Sequence, residues 1–385
     1  MSHSEHRLLR QTLQNFVSKE IEPGALVRDR DEHFDLALFR KLASVGLLGI
    51  TAPAEFGGSD MDPLAAVIAH EELSYSDPGL CLAYLAHAML CVNNIANNAS
   101  VEQKAKYLPK LCSGEWVGCM AMSEPGVGTD VLGMTTTATL QGDHYIVNGR
   151  KMWITNGVLD NDSAPADVVY LYAKTGTKLS TFIITPDCPG YSVGQKIKGK
   201  TGMRASNTAE LVFEQCQVPM ANRVGEEGAS IKHMMKNLAM ERLTLAAMGL
   251  GIGRRSLKIM INYANERTAF GKKLTEFGQI QQHIADSYAE YQAARAYVYE
   301  TARGNMSRLD SDGVKLIAAR MAKKLADSAM QVLGGNGYVA EYVAERLWRD
   351  AKLLEIGGGT LEAHQKNIAV DLSKAGDLDL CGGLD

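Results

Sequence analysis

The sequence predicts an α+β protein in three parts: helices first, then short strands, then a helical bundle. Two observations carry this. Apolar residues recur at helical spacing over residues 1–115, shift to a period of two over 116–225, and return to helical spacing over 226–385. Glycine, proline and asparagine cluster where the period changes and between the strand-like runs. A chain of 385 residues is long enough for two or three packed domains.

Leu8, Leu9, Leu13, Phe16 and Val17 mark a first amphipathic helix. Leu38, Phe39 and Leu42 repeat the pattern before Gly46, and Ile50-Thr51-Ala52-Pro53 with Gly57-Gly58 reads as a loop. Residues 62–98 give two more helical stretches. His144-Tyr145-Ile146-Val147 lies between Gly142-Asp143 and Asn148-Gly149, both turn signals. Val168–Tyr172, Phe182–Ile184 and Leu211–Phe213 are further strand-like runs, so the middle part is expected to be a small barrel or sandwich. Helices are expected around 228–265, 277–303 and 310–333, separated by loops at Ala269–Thr275 and Gly334–Gly337.

The formal charge of −4 gives no basic excess of the kind that nucleic acid requires. The seven cysteines are dispersed and contain no CxxC pair, which reads as reduced thiols rather than a disulfide or zinc framework. No uninterrupted apolar run reaches the roughly 18 residues that cross a bilayer. A soluble, cytoplasmic enzyme or scaffold is expected.

Six segments carry candidate chemistry. Met122-Ser123-Glu124-Pro125-Gly126-Val127-Gly128-Thr129 can bring backbone N–H groups close to a phosphate or a flat ring, or form a plain surface turn. Lys151–Gly157 holds Trp153 and Thr155, two apart and so on one side of an extended strand, where an indole and a hydroxyl suit a heteroaromatic ring; a strand with a core tryptophan is the alternative. Arg267-Thr268-Ala269-Phe270 offers a pyrophosphate-binding guanidinium and a ring, or a basic helix end. Gln331-Val332-Leu333-Gly334-Gly335 ends a helix or admits a cofactor backbone-close. Glu355-Ile356-Gly357-Gly358-Gly359-Thr360-Leu361-Glu362 has three glycines that are costly to order. Met240-Glu241-Arg242 places a carboxylate in the apolar stretch Leu238–Leu250, where carboxylates are often simply paired or solvated.

Taken together and in this order, the six segments resemble the acyl-CoA dehydrogenase family, from about Glu5 to Leu372. Ile50–Pro53, Tyr107–Leu111, Gly202–Thr208 and Arg349–Lys352 are similar to its isovaleryl branch. The resemblance implies an N-terminal helical domain (1–115), a middle β-barrel (116–225) and a C-terminal four-helix bundle (226–385), with non-covalent FAD, an acyl-CoA substrate, an electron-transfer flavoprotein as acceptor and a homotetramer. It implies flavin contacts from Met120, Met122, Ser123, Gly128, Thr129, Trp153 and Thr155. Arg267, Phe270, Gln331, Gly334 and Gly335 are implied to reach the FAD of a neighbouring subunit, and Thr360 and Glu362 to lie along the pyrophosphate. Thr129, Met240, Arg242, Gly357 and Gly358 are implied substrate contacts.

Most members of the family place the catalytic glutamate just before the Gly-Thr pair, which here is Gly358. The isovaleryl- and long-chain-type members place it before an arginine on a bundle helix, and Glu241-Arg242 matches. The two homes substitute for each other, so Glu241 is implied as the base and the Gly358 N–H as a donor to the thioester carbonyl. Three positions depart from the family pattern: Ala239 stands where an aspartate is usual, Gly278 where a glutamine is usual, and Val158–Pro165 is longer. Gly357 and Gly358 replace bulkier residues, so a branched or larger acyl group is expected to fit. The competing classes are a flavin monooxygenase or oxidase on the same fold, a dehydrogenase for a longer or dicarboxylic acyl-CoA, and a non-catalytic scaffold.

Overall fold

The computed structural model describes residues 1–160, 163–304 and 306–374. The end of the expected bundle beyond 374, with Cys381, lies outside the described residues.

The N-terminal part holds α1 (His3–Phe16), α2 (Ala25–Arg30), α3 (Leu36–Lys41), α4 (Pro63–Ser76), α5 (Pro78–Leu85), α6 (Asn93–Asn98) and α7 (Val101–Cys112). Their starts are written in the sequence. Ser2 with Glu5 and Ser100 with Gln103 form capping boxes, and Asp62-Pro63 and Asp77-Pro78 pair an acceptor cap with proline in the first turn. Leu9 and Leu13 face the core, but Leu8 is 65% exposed, one position off the buried stripe. The stretch Pro78–Asn98 is continuous helix through a π-turn at Ala86–Val92. Though broken by His87 and four asparagines, by length and composition it is apolar enough to cross a membrane, with a mean hydropathy of 1.4, yet 83% of that window is buried inside the protein, as a core helix would be.

The middle part is one eight-stranded sheet, β1 (Gly118–Ala121), β2 (Thr137–Gln141), β3 (His144–Thr155), β4 (Val168–Thr175), β5 (Lys178–Ile184), β6 (Tyr191–Lys196), β7 (Thr208–Pro219) and β8 (Arg223–Val224). The order is β6-β7-β3-β2-β4-β5-β8, with β1 parallel to β4. The sheet curls round its own core. Val169, Leu171 and Ala173 of β4 pack inward with Tyr145, Phe182, Leu211 and Phe213. The alternate residues Val168, Tyr170 and Tyr172 pack outward on Val92, Ile95, Tyr107 and Leu108 of the helical part. That two-sided burial explains why β4 reads as a continuous apolar run.

The bundle holds α8 (Ser230–Glu266), a small hairpin β9 (Thr268–Ala269) and β10 (Lys272–Lys273), α9 (Gly278–Arg303), α10 (Arg308–Leu333), α11 (Val343–Leu354) and α12 (Leu361–Lys374). The expected loop at 269–275 is thus a hairpin, and Gly334–Tyr338 forms a 3-10 turn. Gly249, Gly251 and Gly253 let α8 sit against its neighbours. A Cβ at these positions would come within 2.8 Å of the Ala318 carbonyl, 2.4 Å of the Glu71 carbonyl and 2.6 Å of Met321 Sδ.

Buried ions join the parts. Glu71 and Glu72 take Arg10 and Arg254 from two other helices, and Tyr291 donates to Glu71 at 3.0 Å. Arg349 of α11 binds Asp29 at 2.6 Å and the Thr201 carbonyl at 3.1 Å, and Met203 N–H donates to Asp350 at 2.5 Å. Gly202 must be glycine there, because a Cβ would lie 2.5 Å from the Arg349 carbonyl.

Candidate active site

Glu241 lies in the middle of the N-terminal half of α8 and is 7% exposed. Burial pushes its carboxyl up to about 7, against the opposing pull of Arg242 and Lys315. Gly358 sits directly opposite. It has φ +65°, and a Cβ built on it would lie 3.5 Å from Glu241 Oε1. The two positions that the sequence reading treats as alternative homes for one base therefore adjoin. The Gly358 N–H donates to no acceptor among the described residues, whereas the Gly357 N–H is used by the Leu353 carbonyl at 2.7 Å. The room expected from losing a side chain at 358 is bounded by Leu245, whose Cδ1 lies 2.1 Å from that Cβ position. Met240 is half-buried beside the base, and Arg242 turns away to Asp312, 3.1 Å off. Lys315 is fully buried, donates to the Leu354 carbonyl, and is pushed down to about 8 by burial while Glu241 opposes the shift.

The glycine-rich loop is fixed from beneath by a pair that the sequence reading did not single out. Lys151 Nζ donates to Glu124 and to the Met122 carbonyl, both at 2.9 Å, with Lys151 0% exposed and Glu124 4%. Glu124 also accepts from the Thr135 and Thr136 N–H groups at 2.6 and 2.9 Å. Burial raises its pKa, but these hydrogen bonds prevail and hold it at about 2. Met152 N–H donates to the Ser123 carbonyl at 2.9 Å, tying the loop to β3. Its only trace in the sequence is a lysine opening the run Lys151–Gly157, and nothing there names the partner. With its underside fixed, the loop leaves its other side free. Gly128 and Thr129 are exposed, Ser123 and Met120 half-buried, Met122 buried, and a Cβ at Gly126 or Gly128 would meet nothing within 4 Å.

Trp153 and Thr155 both avoid the sheet's core, but simple alternation is not the reason. A register shift between Lys151 and Ile154 puts Trp153 at φ +66°, so Lys151 and Ile154 point inward while the indole stands 62% exposed. A large aromatic in the left-handed region, held in the open, is a strained arrangement of the kind that clusters at ligand sites.

Arg267, Phe270, Gln331, Gly334 and Gly335 lie elsewhere. Arg267 is 26 residues beyond Glu241, roughly 39 Å along α8 at helical rise. Asn336 donates to Tyr263 at 3.0 Å, so the Gly334–Tyr338 turn and the hairpin share that far end of the bundle. Phe270 and Gly271 take φ +50° and +76° at the hairpin tip, a pairing that normally selects Asn-Gly, and the Phe270 ring is 95% exposed. Arg267 is exposed with no ion-pair partner among the described residues, and Gln331 and Gly335 are exposed too. One copy of the chain cannot bring this group to Glu241.

Thr360 caps α12 by accepting from the Ala363 N–H at 3.2 Å, and Glu362 is exposed in its first turn. Ala239 is half-buried on α8, and Gly278 opens α9 with empty space where a side chain would stand. Val158 and Pro165 are paired by a bridge.

Sequence profiles of the acyl-CoA dehydrogenase N-terminal, middle and C-terminal domains match residues 3–115, 119–216 and 229–372. The mitochondrial isovaleryl-CoA dehydrogenase of Pongo abelii is 41% identical over 94% of this chain and 87% of its own length. Butyryl-CoA dehydrogenase from Megasphaera elsdenii superposes with a TM-score of 0.91 at 33% identity, covering 96% of this chain and 98% of its own. A glutaryl-CoA dehydrogenase from Mycobacterium smegmatis in complex with FADH2 superposes with a TM-score of 0.91 at 27% identity, covering 97% and 95%. Profiles over all three parts, a relative at this identity and the shared fold have one consequence: the chain belongs to the acyl-CoA dehydrogenase family.

Proposed function

We propose that the chain desaturates a short or branched acyl-CoA between the α and β carbons, with Glu241 as the base. The observation that carries this is the juxtaposition of the buried Glu241 carboxylate with Gly358, whose built Cβ lies 3.5 Å from Glu241 Oε1 and whose N–H has no acceptor among the described residues. A thioester carbonyl accepting from Gly358 sets its α-carbon beside Glu241, and a donor aimed at the developing enolate oxygen stabilises charge where it forms. Glu241, raised by burial, is a stronger base than an exposed glutamate and stays largely ionised just above neutral pH.

FAD fits the residues present. Trp153 offers an exposed ring face, Thr155 a hydroxyl beside it, and the strapped loop from Met120 to Thr129 open backbone with no side chain at Gly126 and Gly128. When bound, FAD supplies the acceptor for the β-hydride. Arg267, Phe270, Gln331, Gly334 and Gly335 would hold the FAD of a neighbouring subunit, with Thr360 and Glu362 along the pyrophosphate, in a homotetramer. Met240, Thr129, Gly357 and the backbone near Arg242 would line the substrate, and Leu245 would limit branching near the α-carbon. An electron-transfer flavoprotein would reoxidise the enzyme. The six cysteines among the described residues are buried and unpaired, in keeping with a reducing compartment, whether the cytoplasm or the mitochondrion of the relatives.

The test is anaerobic titration of the purified yellow protein with straight, branched and dicarboxylic acyl-CoAs, following the flavin absorbance. Bleaching by isovaleryl-CoA or a neighbouring short acyl-CoA is expected. Absence of bleaching across the panel, with rapid oxygen consumption in air, would move the chain to the oxidase or monooxygenase class.

A further inference from the structure

Behind the Gly357–Gly359 turn runs a buried chain of polar contacts that the reaction as described does not use. Arg242 Nη1 lies 3.1 Å from Asp312 Oδ1. His364 Nδ1 is 2.5 Å from that same oxygen, and His364 Nε2 is 3.1 Å from the Gly359 carbonyl oxygen. Asp312 and His364 are both 0% exposed. Arg308 stands 4.0 Å from the other oxygen of Asp312.

The protons on the ring follow from its partners. A carbonyl oxygen can only accept, so Nε2 carries a proton. Asp312 Oδ1 lies against both Arg242 and the Nδ1 edge of the ring. The ring also presses on the turn, since a Cβ at Gly359, where φ is +92°, would lie 2.9 Å from His364 Cε1.

We propose that His364 is a positioning residue which, bridging Asp312 and the Gly359 carbonyl, locks the glycine turn so that the Gly358 N–H is held toward the thioester carbonyl beside Glu241. Arg242, next to the base, closes the circuit, so the helix carrying the base and the turn carrying the donor move as one unit. A ring with a nitrogen on each edge reaches both partners at once. The inference rests on the desaturase reading above.

The experiment compares wild type, His364→Gln and Asp312→Asn as FAD-loaded enzymes. It measures kcat, KM, the rate of α-proton exchange of bound acyl-CoA in D2O, and Tm. Misaiming a preorganised donor costs about 10- to 100-fold. The expected result is a fall of that size in kcat and in α-proton exchange alike, with KM changed less than about 3-fold, because the turn guides the transition state more than ground-state binding. Asp312→Asn is isosteric, so it reads the same effect if His364→Gln proves too unstable to assay. Variants that lose Tm but exchange and turn over at the wild-type rate would overturn the proposal and leave His364 a stability residue. Wild type that is not reduced by any acyl-CoA would instead overturn the desaturase reading.

Discussion

Burial displaces the ionisation of Glu241 from its usual 4.5 to about 7, and this has two consequences of opposite sign. Only the carboxylate can take a proton, so kcat/KM is expected to rise with pH up to about 7 and then level off, with no such limb in Glu241→Gln, which should keep its yellow colour yet resist reduction. Stability runs the other way. A group whose folded pKa is raised stabilises most below its unfolded value, and that contribution is lost as pH climbs from about 4.5 through 7. Glu241→Gln removes the loss, so the inactive variant should melt above wild type at pH 8, by up to about 3 kcal/mol of stability, while the two converge near pH 4. A flat difference in Tm across that range would place the raised pKa elsewhere. The same pocket permits relocation of the base. In Glu241→Gln, Gly358→Glu alone should stay inactive, because its Cβ would strike Leu245 and its φ of +65° is strained. Adding Leu245→Ala opens that space, and recovered flavin bleaching in the triple variant but not the double is the expected outcome.

Elements carry the site through one strap and one bulge. The Glu124–Lys151 pair fixes the glycine loop to β3, and the register shift two residues on turns Trp153 outward. Removing one partner of a buried pair strands the other, so Lys151→Met is expected to cost about 3–5 kcal/mol and to release FAD at denaturant concentrations where wild type holds it; flavin fluorescence against urea reads both. Retained FAD with unchanged stability would show that the strap is dispensable. The helical stretches were legible from apolar spacing, whereas their starts are set by Ser2, Ser100, Asp62 and Asp77, caps that the spacing does not reveal; β4 was legible from its run of apolar residues. The bulge was not, since nothing local forces a tryptophan to positive φ; the partner strand β7 does, by pairing across Lys151 and Ile154. The Lys151 ammonium was equally hidden, because its partner lies 27 residues away across a turn. Glu241 was legible only through what is missing at Gly358, and the Asp312–His364 pair beside Arg242 not at all, being 71 and 123 residues downstream of Glu241 in sequence.

At the scale of the whole molecule, the separation of the two residue groups is the main fact. Glu241 and Gly358 occupy one region of the bundle, and Arg267 and the strained, 95% exposed Phe270 the far end of α8, roughly 39 Å away. An exposed ring at positive φ is strained, and the homo-oligomer proposed above requires that a second copy related by a twofold axis bring that end to the first copy's open loop, giving two equivalent sites. Subunit mixing tests this directly. Glu241→Gln and Arg267→Ala are each expected to be inactive alone, the second through loss of FAD. Co-refolded one to one, half of the pairs are mixed, and each mixed pair holds one site with both residues intact and one with neither. Activity should therefore return to about a quarter of wild type. If each site were built within one chain, every site in every pair would carry one lesion and mixing would restore nothing. The same mixture run on a sizing column with light scattering gives the assembly size, and a monomer there would remove the basis for the shared site.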